Sequence, residues 1–174
     1  MMRSRPGSPA APQFELRDAR QADGPEIVSI NRQGVPGVSA VSLSDVEKLL
    51  RVSPCFRVAE HAGVLVAYMI GLCSDADYDG EEFLWFKSRF PDFVYVDQVA
   101  VARETRGKGA ASALYADLER FAAGRETRLL TLEVNLRPEN RPSLVFHEHH
   151  RFFEIGRLET ADGRLVSLRA KEIA

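Results

Sequence analysis

The chain has 174 residues, 45% of them hydrophobic, and its 23 Lys and Arg against 25 Asp and Glu give a net charge of −2. That is room for one compact domain with a proper core and not comfortably for two. No basic surface argues for nucleic acid, weak acidity leaves cationic small molecules open as partners, and no window approaches the ~20 apolar residues of a membrane span.

Met1 to Pro12 holds Arg, Ser, Pro, Gly and Ala without an apolar stretch. It lacks a secretory h-region and reads as a disordered tail over residues 1–13, ahead of a single domain at 14–174 in the cytoplasm. Phe14 to Arg17 is a short strand candidate, and Gln21 to Arg32 reads as a helix with Pro25 at its start and Ile27, Val28 and Ile30 inside. Ser44 with Glu47 suggests a capping box for a second helix. Phe56 to Glu60 alternates as a strand does, and Val64 to Leu72 is an apolar run expected as a buried central strand. If His61-Ala62-Gly63 turns a hairpin, Cys55 lies opposite a residue near Tyr68 and away from Cys73, so both cysteines are expected as free thiols of a reducing compartment.

Ser74 to Asp92 is long for a structureless connection, and such excursions tend to be lids, binding loops or interfaces. It carries Asp75, Asp77, Asp79, Glu81 and Glu82 ahead of Phe83-Leu84-Trp85-Phe86. A strand at Val94 to Val101 then leads through a glycine-bearing loop into a helix that runs to about Ala123, with Gly124 expected as its C′ residue. A strand at Leu129 to Asn135, a helix from Pro142 to His149, and strands at Phe152 to Arg157 and Leu165 to Ala170 complete a mixed α/β order.

The loop Arg106-Gly107-Lys108-Gly109-Ala110-Ala111 is an anion-binding design. Two glycines let successive N–H groups converge, and the helix it opens adds the positive end of its dipole. A P-loop is excluded because no Lys-Ser or Lys-Thr follows Gly109, and a dinucleotide fingerprint is weak because position 112 is Ser. The spacing Arg106-x-x-Gly109-x-Ala111 after Val99-x-Val101 resembles the acyl-CoA-binding motif of the GNAT superfamily of N-acetyltransferases, and within it a bacterial subgroup. Leu129 to Asn135 looks like that family's next strand, and Asn140-Arg141-Pro142-Ser143-Leu144-Val145-Phe146-His147 with Arg151-Phe152 like its Asn-x-x-Ala-x-x-x-Tyr…Gly-Phe segment. His147 stands where many relatives carry a tyrosine acid, and Arg151 where they often have glycine. The match is good over the last half of the chain and rests on element order in the first.

The resemblance implies a mixed, mostly antiparallel central sheet flanked by helices, with acetyl-CoA as acyl donor and no metal. It also implies that Val99, Ala100 and Val101 bond the pantetheine arm through the main chain, that Arg106, Gly107, Lys108, Gly109, Ala110 and Ala111 hold the pyrophosphate, and that Asn140 and Ser143 lie at the cofactor.

Acyl transfer to an amine needs a proton acceptor, because a free alkylammonium has a pKa near ~10.4, and a donor near the leaving thiolate. Asp97 and Glu133, carboxylates inside apolar strands, are the candidate bases, with structural ion pairing as the bland alternative. Alternation places Asp97 on the face of Tyr95, Val99 and Val101. His147 is the candidate acid, since an imidazolium protonates a thiolate near neutral pH, with a surface histidine as the alternative. His147 and His150 are three apart, one short of the zinc-protease spacing, and no third ligand is evident. Tyr78, Trp85 and Phe86 are candidate contacts for the acceptor amine, or else pack as a short helix or against a second subunit of a homodimer. The expected activity is transfer of an acetyl group to a primary amine of a small molecule or peptide. A non-catalytic acyl-CoA-binding or regulatory protein is the alternative, and a nucleotide-binding oxidoreductase a distant third.

Overall fold

The computed structural model describes residues 13–174. The tail expected over 1–13 therefore lies, but for Gln13, outside the described residues. Seven strands form one sheet: β1 (Glu15–Asp18), β2 (Cys55–His61), β3 (Val64–Cys73), β4 (Val94–Val101), β5 (Leu129–Arg137), β6 (Phe153–Glu159) and β7 (Leu165–Glu172). Their order is β1-β2-β3-β4-β5-β7-β6, and every neighbouring pair is antiparallel except β4 with β5. The helices are α1 (Gly24–Gly34), α2 (Leu43–Val52), α3 (Glu81–Lys87), α4 (Ala110–Gly124) and α5 (Arg141–His149). Among the described residues no helix is long and apolar enough to cross a membrane.

Helices cover both faces of the sheet. Tyr68 and Gln98 reach Asn31 of α1, and Leu72 and Tyr95 pack with Phe83 and Phe86 of α3. On the opposite face a Cβ at Gly71 would stand 3.1 Å from Leu118 of α4. That small residue lets the longest helix lie close to the sheet. β3 is buried along nearly its whole length, as an apolar run covered on both faces must be.

Three local expectations are corrected. α2 is capped two residues early: Ser42 Oγ accepts from Asp45 N at 3.2 Å and Asp45 Oδ2 from Ser42 N at 2.9 Å, while Ser44 and Glu47 lie inside the helix. Cys55 faces Gly71 and not Tyr68: the two-residue turn pairs His61 with Val64, which brings Cys55 to Ile70, and a bulge at Ala59/Glu60 adds one residue more. Both cysteines are buried free thiols, and burial pushes the Cys55 thiol up to about 12.

Gly124 is the last helical residue of α4, and Glu126 takes the left-handed position at φ 62°. Thr127 N bonds Ala122 O and Glu126 N bonds Ala123 O, both at 3.0 Å, the paired bonds of a Schellman motif. α5 ends the same way: Phe152 N bonds His147 O at 2.9 Å and Arg151 N bonds Glu148 O at 3.0 Å, with Arg151 at φ 68°. The buried Phe152 ring is the apolar anchor of that turn.

A left-handed non-glycine residue costs about 1–2 kcal/mol, and a glycine returns about 0.4–1 kcal/mol of that through the freer unfolded chain. Arg151→Gly is therefore expected to stabilise the fold by up to about 1 kcal/mol, a rise in Tm of about 2–4 °C for a chain of this size. Thermal unfolding followed by circular dichroism checks it, and a lower Tm would show that the Arg151 side chain makes contacts worth more than the strain.

Candidate active site

β4 and β5 pair only at Val94 to Val96 and Leu130 to Leu132. Beyond that the two parallel strands part, and a cavity of about 950 Å³ opens between them. Its walls are the α1–α2 loop from Gly34 to Ala40, the start of α5, and Asp162 and Arg164 of the β6–β7 turn. Where the strands part, β4 carries a bulge: Ile70 faces Gln98 and Gly71 faces Val96, so Asp97 has no partner on β3.

An extra residue in one strand shifts its alternation. Directly opposed residues share a face, so Tyr95, opposite Leu72, and Val99, opposite Met69, lie on opposite faces. The expectation that Asp97 shares a face with both Val99 and Val101 is thereby corrected. Asp97 turns to the Tyr78 and Tyr95 side, and the main chain from Gln98 to Val101 keeps an edge towards β5 with no strand partner.

Of the carboxylates that line the cavity, two are each bonded by a tyrosine. Tyr78 Oη donates to Asp97 Oδ1 and Tyr95 Oη to Glu133 Oε2, both at 2.6 Å. Burial pushes the Asp97 carboxyl up to about 6, against the pull of the Tyr78 hydroxyl, and Glu82 nearby adds to the rise. Glu133 is held well above the ordinary carboxyl range, first by burial and then by the charge of Glu82. Arg164 does not neutralise them. Its guanidinium reaches Glu82 at 3.1 Å, Asp162 at 2.9 Å and the Asn135 side-chain oxygen at 3.2 Å. Both carboxyls are thus held above their ordinary range and titrate as a coupled pair.

The other end of the cavity leads to the glycine loop. Gly107 and Gly109 have φ of 75° and 93°, and a Cβ at either meets nothing within 4 Å. Gly109 is the N-cap of the 15-residue α4 and offers no side chain to its first-turn amides. Those N–H groups, without a side-chain cap, stand at the positive end of a helix dipole, a fitting cradle for an anion. Arg106, Ala111, Val99, Ala100, Val101, Asn140 and Ser143 line the cavity, whereas Gly107, Lys108, Gly109 and Ala110 form the loop beyond it. Asn140 also caps α5, its side-chain oxygen accepting from Ser143 N at 3.3 Å.

His147 also lines the cavity, but its charge state is not the expected one. Nδ1 lies 2.8 Å from Ser143 O, which requires a proton on Nδ1. Nε2 then accepts from Tyr115 Oη at 2.7 Å. Burial pushes the imidazole down to about 4, so at neutral pH it is no imidazolium donor. Tyr115, four residues past Ala111, was missed in the sequence because it falls among the apolar positions of α4; the signal was a hydroxyl on a core face that must find a partner.

Two acceptor candidates are corrected as well. Phe86 is fully buried among Phe83, Phe93 and Tyr95. Trp85 packs on Gly156 with Arg89 over its ring at 3.8 Å. Neither lines the cavity; Tyr78, the third candidate, does.

The model of the acetyltransferase (GNAT) family matches residues 27–152, from α1 to the turn after α5. Comparison with curated protein sequences gives no match. Among solved structures, Ard1 from Thermoplasma volcanium superposes with a TM-score of 0.77 at 16% identity, covering 93% of this chain and 99% of that one. The ribosomal-protein-S18-alanine N-acetyltransferase of Escherichia coli gives a TM-score of 0.69 at 16% identity, covering 92% and 94%. The yncA protein of Salmonella typhimurium, solved with acetyl-CoA as its cofactor, gives 0.67 at 16% identity over the same shares. With a family model across most of the chain, a matching sheet and a glycine loop at the mouth of the cleft, the chain belongs to the GNAT acetyltransferase family and is an acyltransferase of acetyl-CoA-dependent acetyl transfer.

Proposed function

We propose that the protein is an N-acetyltransferase that moves the acetyl group of acetyl-CoA directly to a primary amine of a small molecule or peptide, with Asp97 as proton acceptor. The observation that carries this reading is the placement of Asp97 at the bulge where β4 leaves β5, in a cleft whose other end is an anion cradle. Backbone N–H groups of residues 107–112 would hold the pyrophosphate, and the unpartnered edge at Val99 to Val101 would take the pantetheine arm as an added strand takes its neighbour.

An incoming ammonium meets a negative half-cleft formed by Asp97, Glu82, Asp162 and Glu139, in which Arg164 is already bonded to two of the carboxylates. Asp97, ionised above about 6, takes a proton from it. Asp97 passes that proton to solvent; the nitrogen–carbon bond then forms as the carbon–sulfur bond breaks, and the second proton of the nitrogen goes to the leaving thiolate. Glu133, bonded by Tyr95 on the neighbouring strand, is the second candidate base. A thiolate whose conjugate acid has a pKa of about 8.5 needs only a hydrogen-bond donor near neutral pH. Tyr115 brings a hydroxyl to the same cleft; its proton is taken by Nε2 of neutral His147, so it donates to the sulfur only by turning from that nitrogen. The Escherichia coli structure is named for acetylating an alanine of a ribosomal protein, which makes peptide N-termini as well as small amines the panel to test with acetyl-CoA. Thiol release that depends on an added amine supports transfer. CoA binding without acetylation of any amine would instead make the chain an acyl-CoA-binding protein.

Three outcomes follow from the geometry. Gly109→Val strains a φ of 93° and fills the anion space, so calorimetry should show CoA binding weakened by at least about tenfold, or ~1.4 kcal/mol; Lys108→Ala should change it little.

The kcat/KM profile should rise as pH passes about 6, because Asp97 is protonated and idle below that value and ionised above it. Asp97→Asn should lower kcat/KM by about 10²-fold and erase that limb; a limb that persists in Asp97→Asn assigns it to another group.

Tyr78→Phe removes the hydroxyl that holds the Asp97 carboxyl down, so the same limb should move to higher pH. An unmoved limb would mean that solvent replaces the hydroxyl.

A further inference from the structure

Arg106 does not face the anion cradle with a free charge. Its Nε donates to Val101 O at 3.1 Å and its Nη2 to Gln33 O at 2.8 Å, and among the described residues it has no carboxylate partner. Arg103 N donates to Gln33 Oε1 at 2.7 Å. The turn that opens the glycine loop is thus tied by two bonds to the last turn of α1. From that residue onward the chain becomes the wall of the acceptor half-cleft, Gly34 to Ala40.

The far end of this wall is anchored in the core. Buried Asn31 donates to Ser39 O at 2.9 Å and accepts from Val41 N at 3.0 Å, while Gln98 donates to Ser39 O at 3.0 Å. Midway, Asn135 donates to Pro36 O at 3.3 Å, and Gly37 lies so close to Asn140 that a Cβ there would stand 2.8 Å from its Nδ2. The Ser39 end is therefore held by buried amides whatever the ligand. The Gln33 end is held from the turn that opens the glycine loop.

We propose that Arg106 is a positioning residue that couples acyl-CoA binding to the acceptor wall, so that a filled anion cradle immobilises residues 33–41 and shapes the acceptor half-cleft. This rests on the cofactor-loop reading above. An anion on the 107–112 amides fixes the 103–109 turn, and the turn transmits that order through one guanidinium bridging two carbonyls. A planar fork can make that bridge, whereas a lysine ammonium on a flexible stem cannot hold both in register. Coupling of this kind needs a structural element that both sites bias, and the 33–41 wall is that element.

Hydrogen exchange of the full chain, with CoA as the probe, tests the proposal without knowledge of the acceptor. In the parent, CoA should slow exchange in 107–113 and also in 33–41, the latter by at least about fivefold, the low end of measured coupling between sites. In Arg106→Ala and Arg106→Lys, protection of 107–113 should persist and that of 33–41 should be lost. Protection of 33–41 that survives in both variants, or that is absent in the parent while 107–113 is protected, overturns the coupling. Absence of protection at 107–113 in the parent overturns the cofactor-loop reading, and the coupling with it.

Discussion

Everything functional in this molecule follows from the early parting of β4 and β5. Parallel strands that stay paired leave no cleft; here the ladder stops after three residue pairs, and the bulge at Asp97 turns the rest of β4 away. One added residue does three things. It aims a carboxylate into the gap, puts Gln98 under the α1–α2 loop, and frees the far edge of β4 for an extended ligand. Bulges beside active sites commonly re-aim a side chain in this way.

A cleft of this kind exposes polar groups that the fold must support from behind. Tyr78 and Tyr95 bind the two carboxylates, and Asn31, Tyr68 and Gln98 form a closed network with Ser39 O and Val41 N. The carboxylates are left without a dedicated cation, since Arg164 is drawn off by Glu82 and Asp162. Burial without a counter-charge raises a carboxyl towards neutrality. That is unfavourable for stability and useful for proton transfer.

The departures from the family pattern are absorbed by local geometry. Position 147 carries imidazole where many relatives have tyrosine, and Tyr115 of α4 brings a hydroxyl to 2.7 Å from it, so the cleft keeps a phenol from a different helix. Position 151 carries arginine where glycine is common, and the turn keeps its left-handed shape because the two backbone bonds to Glu148 and His147, with Phe152 buried behind them, over-determine it.

The sequence by itself determined the element order, the glycine loop and the family. These signals are local: alternation in strands, i to i+3 and i+4 apolar spacing in helices, and two glycines ahead of a helix start. It also singled out Asp97, Glu133 and His147, because a polar residue inside an apolar run stands out without any knowledge of its neighbours. Tertiary structure decided what those residues are. The bulge that turns Asp97 from the face of Val99 arises from the pairing of β3 with β4, not from any residue type in β4. The raised carboxyls of Asp97 and Glu133 and the lowered imidazole of His147 arise from burial, with the charge of Glu82 beside the first two, all supplied by distant parts of the chain. Arg106 reads as a phosphate-side charge in one dimension and becomes a strap to Gln33 in three, because only the fold brings the end of α1 against the cofactor loop.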